Sequence, residues 1–504
     1  MSADAWTSQL ALLPDYGGSH VLLTLGALCL GIALSLPTAL LVVRVRPLAT
    51  PVLAVASVIQ TIPGLALLAL MVPLLGRIGV APALLALVLY SALPILRNTV
   101  TGVLSVDANV LEAARGIGMT ETQTLLRVQL PLAMPVIVAG VRTAAVWTVG
   151  MATLSTPVGA TSLGNYIFSG LQTQNMAAVL VGCGAAAGLA IVLDAGIRLA
   201  EVALRRRHPL LGGLAALGLV ALLLLGAAPS LIALRADDGR PVARIGAKTF
   251  TEQYILAELM ALRLREAGFR VENRDSLGST VIFDALVSDE IDAYVDYSGT
   301  IWANHMKRKD APGAERVLAE LEKWLDEEHG VLLLGALGFE NAYALAMRRD
   351  HANSLGVRDI DELAAHARKL SMGADYEFFA RPEWTALRDA YSLRFREQRS
   401  FDSALMYSAV ADGHVDVISA FSTDGRIAAF DLVVLDGPRE ALPPYDAVVL
   451  VSPRARKSPE LLAALEPLVQ KITNEDMRGA NKRVDLDGES TSTVAETLSA
   501  GLRR

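Results

Sequence analysis

Few side chains in this sequence are arranged as a reaction would need them. Gly246-Ala247-Lys248-Thr249 comes nearest to a phosphate-binding loop, but G-x-x-x-x-G-K-[ST] requires glycine directly before the lysine and alanine stands there. His305 and His414 lack the paired spacing of metal ligands, and no Ser/His/Asp set or carboxylate pair suits covalent or acid–base catalysis. Cys29 and Cys183 lie in apolar runs and imply neither a zinc cluster nor a disulfide framework. The chain is therefore expected to be no enzyme and to bind no metal or cofactor of its own. One contiguous stretch does carry a pattern. In EAARGIGMTETQTLLRVQLP, residues 112–131, Glu112-Ala113-Ala114 is followed after three residues by Gly118. Nine residues then separate Gly118 from Val128, and Leu130-Pro131 follow one residue later. Small alanines let a helix sit close to a surface, glycine turns the chain, and proline suits the start of the next helix.

That polar stretch lies between strongly apolar runs, and the elements around it divide the chain in two. Residues 1–230 contain no lysine and carry 11 Arg against 7 Asp and Glu. The remainder holds 34 of the 45 basic residues and 45 of the 52 acidic ones, so an apolar front half precedes an acidic back half. An acidic soluble half argues against nucleic acid as a partner. Runs of about 20 apolar residues can span a bilayer, and six are predicted, at 21–43, 51–76, 78–96, near 131–153 and 177–199, and at 209–234. Arg142 and Asp194 interrupt the fourth and fifth. Arg44 and Arg46, then Arg97, Arg115 and Arg127, then Arg205–Arg207 fall in alternate loops and mark the cytoplasmic side. The N-terminus is then outside, and the sixth span delivers the acidic half of the chain to the outer face. An internal secretory signal is a second reading of that span; its length favours an anchor.

From residue 241 the pattern changes. VARIGAKTF reads as a strand, TEQYILAELMALRLREAG as an amphipathic helix ended by Gly268, and FRVENRD as another strand. Such alternation predicts parallel sheets flanked by helices, and about 260 residues suffice for two lobes.

The spacing at 112–131 closely resembles the EAA signature of ABC importer permeases, with Val128 for isoleucine as the departure. The resemblance implies a cytoplasmic coupling helix in which Glu112, Ala113, Ala114, Gly118, Leu130 and Pro131 serve docking to an ATPase. Without a phosphate-binding loop here, that ATPase and its ATP belong to a separate subunit. GVRTAAVWTVGMATLSTPVGATSLGNYIFSGL (140–171) looks like the permeases of the osmoprotectant importers, with Gly159–Gly164 reading GATSLG where GAGGLG is usual. IGAKTFTEQYILAELM, LGSTVIFDAL, IDAYVDYSGTIW, FENAYALAMR, AFSTDGRI and PPYDAVVL resemble blocks of the substrate-binding proteins of the same importers. The implied fold is an all-α six-helix transmembrane permease of a type I ABC importer, made of a permease domain (1–208) and a sixth span with linker (209–240), followed by an α/β two-lobed type II periplasmic-binding-protein domain (241–504). The implied location is a bacterial cytoplasmic membrane, in contact with lipid, with a second copy of the chain as partner.

A receptor in that family meets a quaternary ammonium, which donates no hydrogen bond and is held by aromatic faces. The resemblance implies Tyr297, Tyr445, Tyr343 and Phe421 as cage residues, with Phe250 and Tyr254 as weaker additions. Asp296 is expected at or near the cation. Ser279 and Thr280 at a helix start, with Gly278, and Arg381 are expected to meet a carboxylate. Asp424 is expected to cap a turn and Trp302 to pack. The expected ligands are glycine betaine, choline and carnitine. The VDYSGTIW block keeps ergothioneine, a trimethylammonium carboxylate with a thiol-imidazole, as an alternative of the same architecture. A non-transporting ligand-sensing membrane receptor is the alternative of a different class. It would need a cytoplasmic signalling domain, for which the sequence around the spans leaves no room.

Overall fold

The computed structural model describes residues 3–502 except 174, 207, 236–238, 309, 311 and 438–442; Arg207 and the middle of the predicted linker thus lie outside the described residues. The chain divides into two compact units, Met1–Phe168 with Ala177–Asp238 and Gly239–Arg504 with Ser169–Met176.

Among the described residues of the first unit, five helices are long and apolar enough to span a membrane: Gln9–Arg44, Val80–Leu104, Glu121–Thr153, Met176–Arg206 and Pro209–Pro229. The span predicted at 51–76 is instead two helices, Ala49–Thr61 and Gly64–Leu75, bent by 102°. Pro63 is the cause: it offers no N–H and disfavours a helical residue before it, and Ile62 is indeed extended at ψ 128°. The Tyr90 hydroxyl donates to the Ile62 carbonyl at this break. Counted as one, the bent pair gives six spans. A second difference concerns Pro131, expected to open the fourth span. The helix already begins at Glu121, under a capping box of Thr120 and Gln123, and widens to a π-turn at Leu125–Gln129 just before the proline. The charges that interrupted spans four and five satisfy each other: Arg142 donates to both Asp194 oxygens at 2.8 and 2.9 Å.

The described residues of the second unit form two five-stranded sheets. Their strands are β1 (Val242–Lys248), β2 (Arg270–Leu277), β3 (Ala293–Tyr297), β4 (Leu332–Glu340), β5 (Tyr343–Arg348), β6 (Ser371–Asp375), β7 (Glu397–Phe401), β8 (Val417–Phe421), β9 (Leu432–Val434) and β10 (Asp446–Val451). The first sheet runs β2-β1-β3-β10-β4 and the second β7-β6-β8-β5-β9. As the alternation predicted, β1 lies parallel to β2 and β3, and β6 parallel to β7 and β8. The sheets are nonetheless mixed, because β10 and β5 run antiparallel to their neighbours. Only Asn341 and Ala342 separate β4 from β5, so the chain passes directly from one sheet into the other and returns at β10. A strand arriving from the opposite lobe enters its sheet in the reverse sense.

Each lobe has its own core, around Ile245, Leu259 and Val449 in the first and Met372, Phe378 and Val417 in the second. The helix Thr251–Glu266, expected to be amphipathic, is buried on most of its faces. The sheet covers one side, and the C-terminal helices Asn474–Asp485 and Thr491–Gly501 cover the other. Sequence periodicity cannot show a cover that comes from the far end of the chain.

Candidate functional site

The crossovers between the lobes flank a cavity of about 180 Å³. Its aromatic wall comes from six places in the sequence: Phe250 after β1, Tyr297 ending β3, Tyr343 opening β5, Tyr376 just after β6, Phe421 ending β8, and Tyr445 just before β10. Phe250 stacks with Tyr297 at 6.0 Å between centroids and lies parallel to Phe421 at 6.2 Å. Tyr343 reaches Phe421 at 5.1 Å and meets Tyr445 edge-on at 5.8 Å. Strand ends serve here because they are where a sheet releases a side chain from its own core to the gap between lobes.

Two buried carboxylates hold these rings. Tyr297 donates its hydroxyl to Glu252 at 2.6 Å, and Tyr445 donates its own to Glu383, a second-lobe residue, at 2.8 Å. Glu252 also accepts from Asn341 at the crossover (3.0 Å), from Thr423 of the second lobe (2.5 Å) and from Asn481 (2.9 Å). Burial pushes the Glu252 carboxyl above the ordinary range, while these four donors pull it back. Burial, then the neighbouring carboxylates, raises the Tyr297 and Tyr445 phenols well above 10, so both stay neutral donors.

The polar wall is of mixed charge. Lys248, Ser279 and Thr300 contribute from the first lobe, Asn341 from the crossover, and Asp375, Tyr376, Glu377 and Arg381 from the second. Ser279 opens the helix Ser279–Val287 behind Gly278, where backbone N–H groups are free to meet an anion. Arg381 is ion-paired with Glu377, stands 3.8 Å from Glu383, and sits 5.8 Å from the Tyr343 ring centroid. Burial opposes its charge, but Tyr343 and the two glutamates hold its pKa above the usual arginine value.

Of the residues anticipated from sequence, the structure gathers Tyr297, Tyr445, Tyr343, Phe421, Phe250, Ser279 and Arg381 at this wall. Thr280 and Asp296 do not line it. Asp296 is fully buried and engaged elsewhere: it pairs with the Lys248 ammonium and accepts from the Tyr294 hydroxyl (2.6 Å) and the Tyr297 N–H (2.7 Å). Its charge is spent on Lys248. Tyr254 lies in the core with its hydroxyl 2.7 Å from that of Ser276. Asp424 accepts from the Arg426 N–H at 2.9 Å, and Trp302 donates to the Asp310 carbonyl at 2.8 Å. Gln172, Lys248, Thr249, Thr300, Asn341, Asp375, Tyr376, Glu377, Asp402 and Ser403 also line the cavity and were not anticipated. In sequence Lys248 stands in a fragment of a phosphate loop and in the same block as Phe250. Asn341 neighbours Tyr343, and the 375–377 run adjoins Arg381, so adjacency was the available signal.

In the first unit the segment 108–118 forms a second candidate surface. Asp107 caps the helix Ala108–Gly116 by accepting from the Asn109 N–H at 2.8 Å, and Gly118 turns the chain at φ 84°. Glu112, Ala113, Gly118 and Pro131 are exposed or partly so, Leu130 is half-buried and Ala114 is buried. Val110 and Ile117 on this segment are 40% and 76% exposed.

Comparison with known proteins divides at the same place. Residues 31–206 match the family described as the binding-protein-dependent transport system inner membrane component. Residues 243–498 match the substrate binding domain of the ABC-type glycine betaine transport system. Across both parts, the chain is 33% identical over 461 residues to the ergothioneine transport permease/ergothioneine binding protein EgtU of Helicobacter pylori (strain G27), covering 88% of this chain and 82% of that one. The first part is 42% identical over 182 residues to the choline transport system permease protein OpuBB of Bacillus subtilis (strain 168), covering 36% and 83%. The second is 32% identical over 268 residues to a glycine-betaine-binding protein of Pseudomonas aeruginosa, covering 50% and 85%.

Proposed function

The chain belongs to the binding-protein-dependent ABC importers that join a permease to a glycine-betaine-type binding domain in one polypeptide, and from that premise we propose that it captures a quaternary-ammonium zwitterion and admits it to the cell. Six aromatic rings lining one cleft, with Arg381 and Ser279 on the same wall, carry this reading. The rings attract a methylated cation that offers no hydrogen bond. The cationic and hydroxyl groups suit a carboxylate.

In this reading a separate cytoplasmic ATPase binds the helix Ala108–Gly116, whose exposed Val110, with Ile117 just beyond it, supplies apolar contact and whose Glu112 supplies charge. Two copies of the chain would complete the permease, with the binding domains facing outward. Tethering each receptor raises its local concentration without altering intrinsic affinity. Ergothioneine is a specific second ligand, because the relative that aligns across both units bears that name. Calorimetry of the full chain in nanodiscs with glycine betaine, choline, carnitine and ergothioneine tests the ligand class. Heat from at least one is expected, and silence from all four would sink it.

A further inference from the structure

Resting on that reading, the polar inventory of the cleft sharpens the choice among ligands. Asp375 is fixed by its Oδ1, which accepts from the N–H groups of Glu377 (2.8 Å) and Phe378 (3.0 Å). Its Oδ2 is buried with no hydrogen-bond partner among the described residues. Asn341 is fixed by its Nδ2, which donates to Glu252 at 3.0 Å; turning the amide over would set its oxygen against that carboxylate. Its Oδ1 is likewise buried without a partner among the described residues. Both residues form part of the cavity wall. Three wall atoms are thus buried without a partner among the described residues: one donor, Arg381 Nε, which a ligand carboxylate can meet, and these two acceptors, each held in place by bonds the rest of its side chain makes.

A trimethylammonium carboxylate with no other functional group carries no hydrogen on a heteroatom. It can fill the aromatic wall and meet Arg381, yet it leaves both acceptors unsatisfied in a site from which it has displaced water, which is costly. We propose that Asn341 Oδ1 and Asp375 Oδ2 accept hydrogen bonds from the ligand, so that the cleft selects a methylated-ammonium zwitterion bearing O–H or N–H donors over one that has none. A hydroxyl satisfies one acceptor. An imidazole-thione, with two ring N–H groups, has the donors for both. Selection by polar groups that would otherwise stay unpaired is the stronger kind of discrimination, because the wrong ligand is penalised as well as less well held.

Three zwitterions with equal charge and different donor counts test this on the full chain in nanodiscs: glycine betaine, carnitine and ergothioneine. The wild type is expected to bind ergothioneine, or ergothioneine and carnitine, at least about tenfold more tightly than glycine betaine. Asp375→Asn keeps an oxygen for the Glu377 and Phe378 N–H groups but presents an amide donor where the free acceptor stood. It should weaken the donor-bearing ligands about tenfold and glycine betaine much less, collapsing the ratio. Equal or tighter binding of glycine betaine by the wild type overturns the proposal, and this ranking decides the matter even if the variant is unstable. A uniform loss across all three ligands in Asp375→Asn, with an unchanged melting temperature, also overturns it. Failure of the wild type to bind any of the three, or choline, instead refutes the quaternary-ammonium reading itself, and this inference falls with it.

Discussion

The segment around Glu112 and the cleft around Tyr297 use their residues in opposite ways. The first is one contiguous piece of chain with its side chains turned outward: Glu112 and Ala113 are exposed, and Ile117 has little covering it. The second draws on more than ten residues spread from Gln172 to Tyr445, and its two most deeply placed tyrosines are already bonded to Glu252 and Glu383. A surface awaiting a partner can be written locally, because the fold need only hold it out. A cleft must be assembled, because each ring needs a different element to carry it and a second residue to fix it. Damage to the first should therefore cost coupling and leave folding alone. Damage to the second should reach both affinity and stability.

A crossed pair of variants puts that separation under the greatest load. Glu112→Lys reverses a charge on the exposed helix, and at an interface a like-charge contact costs about 2–5 kcal/mol. ATP-driven uptake into proteoliposomes should fall by about a hundredfold or more, with ligand affinity and melting temperature unchanged. Phe250→Ala should do the reverse, weakening affinity roughly tenfold while uptake at saturating ligand persists. Phe250 is the ring to choose because it is only partly buried and its contacts are aromatic rather than hydrogen-bonded. If Glu112→Lys also weakened ligand binding, the displayed surface and the assembled cleft would not be separable.

The same contrast governs what could be read from the sequence. The turn at Gly118 was legible in the 112–131 segment, because spacing within one loop is preserved in one dimension. The ends of the spans were less so: Pro63 breaks the second span, whereas Pro131 is absorbed by a π-turn, and only the surroundings decide which outcome a proline takes. Five of the six rings that the resemblance named line the wall, and the parallel pairing of β1 with β2 followed from alternation. Asp296 was misplaced for a physical reason. Its partner Lys248 lies 48 residues earlier, and parallel pairing of β1 with β3 through Ile245 and Ala293 brings the two together. A carboxylate beside a tyrosine reads the same in sequence whether a lysine neutralises it or a ligand does.

That pair gives the next sharpest test. Lys248 and Asp296 are both buried, so truncating one member strands the other charge in the core. Lys248→Met should lower unfolding stability of the full chain by about 3–5 kcal/mol, followed as a melting-temperature shift. Adding Asp296→Asn should restore much of it, since removing both charges avoids the stranded one. A double variant no more stable than the single would mean that Lys248 acts through packing rather than charge.

The smallest effect expected is a pH dependence confined to the assembled region. Burial raises the Asp485 carboxyl to about 7; Arg426 pulls it down, Asp424 pushes it up, the Thr251 hydroxyl at 2.6 Å pulls it down, and Glu252 pushes it up. In the unfolded chain the group titrates near ~3.9. The folded state therefore holds the proton more tightly, so the stabilising contribution is complete below about 4 and is lost as pH rises through about 7. Raising the pH from 6 to 8 should cost on the order of 1 kcal/mol through this group, seen as a lower melting temperature. Asp485→Asn should flatten that slope in part only, because Asp275 is also raised to about 7 by burial and titrates in the same window. Glu112→Lys should leave the slope as it is, since its exposed helix has no share in the buried protons. A variant on that helix that moved the slope would show the two regions to be thermodynamically linked, and the contrast between a displayed surface and an assembled one would then describe their construction but not their energetics.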